Sequence, residues 1–173
     1  MGFSFDALVD QVREMNRRLA VLERRQPAGV PIAWTPQLLA TTTAPTMGTP
    51  GASLTGHYFR VGQVVIMWFD ITFGTGMAQG SGSYLVKLPF PIESPNASTG
   101  GTLGTWRGVV AAGGNAVDGT LFVQTADKTT LYMAYVSGAP GTAGTAASPN
   151  TPMVWVAGSN FGGVIIARVQ AGY

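Results

Sequence analysis

The chain has no cysteine and a single histidine, and it carries few charges. Without cysteine there is no disulfide framework and no thiolate-ligated zinc module. One histidine, His57, excludes a zinc site built on several imidazoles and leaves only one residue for any Ser-His-Asp arrangement, with no Gly-x-Ser-x-Gly motif anywhere. Lys and Arg number 10 against 8 Asp and Glu, about 10 % of 173 residues. That is too few basic residues for the patch that binding nucleic acid requires. The chain also lacks an apolar run of about 18 residues, so it contains no membrane-spanning segment, and its charged N-terminus lacks the apolar core of a signal peptide. What it has in quantity is hydrophobic residues, 46 %, together with 24 Gly and 11 Pro. Apolar content at this level separates it from disordered chains, and the glycines show no three-residue period of the collagen kind.

The charges are concentrated at one end. Residues 1–26 hold nine of the 18, and the other nine are spread over the remaining 147 residues. This predicts a charged amphipathic segment (1–26), a linker at Pro27-Ala28-Gly29-Val30-Pro31 extending to residue 33, and a nearly uncharged body (34–173). Within the first segment Phe5, Leu8, Val12, Met15, Leu19 and Leu22 recur at spacings of 3, 4, 3, 4 and 3. The 3.5-residue repeat puts Phe5, Val12 and Leu19 at a positions and Leu8, Met15 and Leu22 at d positions of a coiled coil. An amphipathic helix packed on its own domain is the simpler alternative. The charged outer positions and the Pro-bounded spacer favour the coiled coil. Arg18 falls at g and Glu23 at e, where a parallel neighbour brings them together as an inter-chain salt bridge. Arg18-Leu19-Ala20-Val21-Leu22-Glu23 further resembles the Arg-hydrophobe-x-x-hydrophobe-Glu pattern of parallel three-stranded coiled coils, and this resemblance implies a trimer.

The body reads as short strands between Gly, Pro, Thr and Ser clusters. The longest alternation, His57–Phe73, has an odd-numbered face suited to the core. Its even-numbered face is also apolar at Val64, Ile66 and Trp68, part of it suited to a neighbouring subunit, and Gly62-Gln63 can split the run into two strands. Further strands are expected at Tyr84–Leu88, Leu103–Ala111, Thr120–Thr125, Thr130–Val136, Met153–Ala157 and Val164–Val169, with a hairpin turn at Ala126-Asp127-Lys128. Seven or eight such strands predict a mainly β fold, a jelly-roll-like β-sandwich following the helix. Ala40–Ser53, Gly74–Gly82 and Ser137–Pro152 show no period. The last, containing Pro140, is the candidate binding loop.

Catalytic patterns are weak. Asp70, Glu93, Asp118 and Asp127 are the body's four carboxylates, and no spacing sets two of them as a glycosidase pair. Gly74-Thr75-Gly76-Met77-Ala78-Gln79-Gly80 lacks the dinucleotide-loop spacing and reads as a hairpin tip. No enzyme activity, cofactor or metal site is expected. Aromatics are the remaining candidates. Trp106 with Arg107, and Tyr132, are candidate contacts for a host glycan or partner.

Trp34-Thr35-Pro36, a Thr/Gly-rich stretch and then Thr55-Gly56-His57-Tyr58-Phe59-Arg60-Val61-Gly62-Gln63-Val64-Val65 resemble the start of a β-domain in tailed-bacteriophage fibre and minor tail proteins. Gly82-Ser83-Tyr84-Leu85-Val86-Lys87-Leu88-Pro89-Phe90-Pro91 resembles that family's Tyr-x-(Val/Phe)-x-Leu-Pro-x-Pro strand end, and residues 164–173 resemble its last strand. The likeness covers about residues 34–91 and 160–173. It implies a non-enzymatic virion protein: a homotrimeric tail fibre or minor tail protein contacting other virion proteins and a host-surface glycan, with no nucleic acid and no membrane insertion. The same features suit a capsid head fibre or decoration protein, and more remotely a glycan depolymerase.

Overall fold

The computed structural model describes residues 10–18, 30–93, 102–111, 113–123, 128–135, 145–152, 154–170 and 172. The chain divides into two compact units, Met1–Val30 and Pro31–Tyr173.

In the first unit residues 10–18 form a helix, α1. Its exposed charges pair along the surface, Arg13 with Asp10 at 3.4 Å and Arg18 with Glu14 at 3.0 Å, the spacings at which helical side chains meet. Val12 and Met15 are exposed on it. Phe5, Leu8, Leu19, Leu22 and Glu23 lie outside the described residues. Of the predicted seam only Val12 and Met15 are therefore described, and Arg18 pairs with Glu14 of its own chain.

The second unit is mainly β. Its strands are β1 (Ile32–Trp34), β2 (Gln37–Ala40), β3 (Ser53–Val61), β4 (Val64–Thr72), β5 (Tyr84–Lys87), β6 (Ile92–Glu93), β7 (Thr102–Val109), β8 (Ala116–Val123), β9 (Thr130–Tyr135), β10 (Thr145–Ala146) and β11 (Asn160–Val169). They form one sheet of order β1-β3-β4-β11-β7-β8-β9-β5-β2, with β10 on β9 and β6 on β11. Every named pairing is antiparallel. β1 and β2 sit at opposite ends of this order, yet only Thr35 and Pro36 separate them in sequence. Three Cα steps span at most about 11 Å, so the sheet must curl until its two edges are close. The two separate sheets of the expected sandwich are not confirmed, because the hydrogen-bonded path runs unbroken from edge to edge.

Gly62 and Gln63 make the turn between β3 and β4, with Gly62 at φ +61. That position belongs to glycine, since L side chains pay about 1–2 kcal/mol in the left-handed region. The turn also corrects the predicted face. Val61 pairs with Val64 and Phe59 with Ile66, so odd residues of β3 share a face with even residues of β4. Val65, Met67, Phe69 and Ile71 enter the core as expected. Phe59 and Val61 instead lie on the outer face, and Leu54 and Tyr58 turn inward to pack on the core.

Other differences have local causes. β1 begins at Ile32, inside the stretch expected to be linker. β8 starts at Ala116, four residues before the expected Thr120, and places Asp118-Gly119 in mid-strand. Residues 154–157 form no strand. Trp155 is held there by its side chain, whose Nε1 donates to the Ser148 carbonyl at 3.1 Å. Two of the aperiodic stretches brace each other through the bridges Thr43–Ser81 and Thr46–Ala78.

The core is centred on Phe161. Its ring lies 5.7 Å from Trp155, 5.8 Å from Phe73 and 6.5 Å from Tyr84. Aromatic pairs at these separations add stabilisation beyond the area they bury.

Candidate functional site: a groove on the outer sheet face

The ladder determines which outward side chains become neighbours on β3, β4, β11, β7 and β8. One row runs Phe59, Ile66, Ile166; the next His57, Trp68, Val164, Thr105, Thr120; the next Thr55, Asp70, Gly162, Arg107, Asp118. Val61 and Val64 face each other beside the first row. The outer face therefore has three zones. At one end Arg168 meets Glu93 at 3.6 Å and Gln63 Oε1 at 2.6 Å. The middle is apolar at Ile166, 58 % exposed, with Val61 and Val64 (55 and 41 %) on the end row beside Arg168 and Val164 (48 %) on the Trp68 row of the groove. At the other end lies a groove of about 730 Å³, lined among others by His57, Trp68, Asp70, Arg107, Asp118 and Gly162.

The groove exists because β11 offers no side chain at Gly162, between Asp70 on one neighbouring strand and Arg107 on the other. A Cβ at Gly162 would stand 3.3 Å from Asp70 Oδ2 and 2.9 Å from the Phe69 carbonyl oxygen. Gly163 faces inward, where a Cβ would come within 2.8 Å of the Phe69 ring. Trp68 forms one wall. His57 stacks on it with centroids 5.6 Å apart and planes at 22°, and Phe59 meets it edge-on at 6.3 Å. Arg107 Nη1 lies 3.8 Å from Asp118 Oδ1, both side chains mostly in water. Such an exposed pair contributes little to stability. Thr72 Oγ1 donates to Asp70 Oδ1 at 3.5 Å, and Asp70 takes part in none of the ion pairs among the described residues.

The sequence-derived candidates separate. Trp106 is corrected from surface contact to core: it is 2 % exposed, its Nε1 donates to the Ala134 carbonyl at 2.8 Å, and it reaches the groove only as part of its lining. It faces inward because it alternates with Arg107 on β7. Arg107 does face the groove. Tyr132 lies elsewhere on the outer face, paired with Phe122 at 6.2 Å, four residues along β8 from Asp118. Pro140 lies outside the described residues. His57, Trp68, Asp70 and Asp118 were not combined in the sequence, because only the register of four strand pairs brings them together. The signal that was present is the period-2 spacing that puts Trp68 and Asp70 on one face of β4.

Among the described residues no group of three or more His, Asp or Glu could hold a metal ion, and no helix is long and apolar enough to cross a membrane. No family model matches the chain, and neither a curated protein nor a solved structure matches it.

Proposed function

We propose that this chain is a structural, non-enzymatic protein of a tailed-bacteriophage particle, a homotrimeric tail fibre or minor tail protein serving both assembly and host-surface adhesion. On this reading the curled sheet is the jelly-roll-like sandwich of the body. The N-terminal segment is a three-stranded coiled coil with Phe5, Leu8, Val12, Met15, Leu19 and Leu22 in its seam, and Arg18 pairs with Glu23 of a neighbour. The partners are two further copies, other virion proteins and a host-surface glycan.

The observation that carries the reading is apolar surface left outside in both units. Val12 and Met15 are exposed on α1, and Val61, Val64, Val164 and Ile166 on the outer face of β3, β4 and β11. Scattered exposed hydrophobes are ordinary, but a patch of them on neighbouring rows of one face marks an interface. Burying one Val or Ile side chain contributes about 1.5–3 kcal/mol, so a few per copy support association. The phage setting leans on the sequence resemblance at residues 34–91 and 160–173.

Gold-labelled antibody against the chain, applied to particles of the phage that encodes it, tests the setting. Label on the tail is the expected result. Label confined to the head would move the chain to a head fibre or decoration protein. Unlabelled particles, with the chain absent from their protein content, would overturn the virion reading.

A further inference from the structure

We infer that the groove over Gly162 binds a neutral saccharide, with Trp68 as the stacking face and Asp70, Arg107 and Asp118 as partners for hydroxyl groups. This rests on the adhesion half of the reading above and goes further by naming the ligand class and the residues that hold it.

The argument begins with the chemistry of a pyranose ring, which has an apolar C–H face and a rim of hydroxyls. An aromatic ring suits the first, while carboxylates accept from hydroxyls and a guanidinium donates to them. The groove supplies all three on adjacent rows: Trp68 on one, Asp70, Arg107 and Asp118 on the next. His57 and Phe59 brace Trp68 from β3, so its ring is held before any ligand arrives. A braced aromatic wall loses little freedom on binding.

Space and unused bonding capacity coincide. Gly162 leaves a trough between Asp70 and Arg107, and a side chain there would crowd Asp70 Oδ2. Asp70 makes no ion pair among the described residues, so acceptor sites on its carboxylate remain for hydroxyl donors. The trough is open along the sheet surface, which suits a stretch of glycan chain.

Charge selects a neutral ligand. Two carboxylates, Asp70 and Asp118, face the groove against one guanidinium, and Arg107 already lies beside Asp118. An anionic sugar would meet Asp70 without an uncommitted cation to offset it. The groove is also compatible with trimer formation. Its lining sets Trp68 and Val164 beside Asp70, Arg107 and Asp118, so copies can meet through Val61, Val64 and the Phe59-Ile66-Ile166 row and leave the groove in water.

The test titrates the full chain with gluco-, manno- and galacto-oligosaccharides and with an oligogalacturonate, read by calorimetry and tryptophan fluorescence. At least one neutral oligomer is expected to bind saturably, and the oligogalacturonate is not. Trp68→Ala and Asp70→Ala should each weaken binding by about tenfold or more, with Trp68→Phe retaining most of it. Lys87→Ala, exposed on β5, should bind as the unaltered chain does. The melting temperature of each variant separates lost binding from lost folding, and Trp68→Leu and Asp70→Asn, each expected to weaken binding, serve where an alanine variant does not fold. Binding by no neutral oligomer, a preference for the oligogalacturonate, or affinity indifferent to Trp68 and Asp70 would each overturn the inference. Particle labelling and oligomeric mass are read separately. A trimeric particle protein with a silent groove fails this inference alone, and a saccharide-binding chain absent from particles fails the fibre reading alone.

Discussion

Trp106 Nε1 donates to the Ala134 carbonyl at 2.8 Å, and the bond passes over Gly119, where any side chain would collide with both partners. Its ring centroid lies 6.4 Å from that of Trp155. Trp106→Ala should therefore cost about 3–5 kcal/mol of folding stability, the range for truncating a large buried aromatic, read as a lower denaturant midpoint. A loss under about 1 kcal/mol would return Trp106 to the surface role its neighbour Arg107 suggested. Tyr84 offers a second test. Burial pushes its hydroxyl up from 10.0 to about 12, and that hydroxyl donates to the Gln79 carbonyl at 2.9 Å. The folded state holds this proton more tightly than the unfolded chain. Its contribution is complete below pH 10 and is lost as pH rises toward about 12. Tyr84→Phe should remove that part of the alkaline decline while costing about 1 kcal/mol at neutral pH for the missing hydrogen bond. An unchanged alkaline limb would contradict the assignment. At this scale the sequence offered Trp106 and Arg107 together as contacts, although alternation puts strand neighbours on opposite faces. Which of the two faced inward depended on the curl of the sheet, which the residue string does not display.

The hairpin β3–β4 shows what is legible in an element and what is not. Gly62-Gln63 was readable as a turn, because glycine there relieves a left-handed backbone. The parity change it causes was not, since it follows from a turn of two residues and not of one or three. Gly62→Val should destabilise the body by about 1–2 kcal/mol without changing the denaturant slope, because it strains one turn and buries nothing new. A neutral effect would mean that the turn relaxes. Strands with alternation, such as β7 and β11, and short runs of strand-forming residues between turn clusters, such as β5 and β9, could be read from the sequence to within a few residues. β1 and β2 could not, being of 3 and 4 residues and owing their place to partners far along the chain. Residues 154–157 mimicked a strand because Val154, Trp155 and Val156 are strand formers, yet it is Trp155 filling the core that holds them. The groove was legible only as Trp68 and Asp70 sharing a face of β4. Its other members come from strands whose paired residues lie from 10 intervening positions apart, as His57 with Trp68 and Arg107 with Asp118, to 91, as Asp70 with Gly162.

Across the whole molecule, charge and apolar surface are divided between the two units. Half of the charges lie in residues 1–26, around a narrow apolar stripe. The body has few charges and carries an apolar row on its outer face. Both make physical sense in a chain that associates with copies of itself, where the stripe and the row are covered. Two substitutions separate their contributions. Val12→Asp puts a charge in the helical seam, and Ile166→Asp puts one on the outer row at a site 58 % exposed, where folding tolerates it. Each should lower the oligomeric mass without lowering the strand content seen by circular dichroism. If one leaves the mass unchanged, the other surface drives assembly. The central claim, that three copies associate, is tested most directly by sedimentation equilibrium of the unaltered full chain at micromolar concentration. The account predicts a mass three times that of the 18.0 kDa chain, and a single species at 18.0 kDa would contradict it.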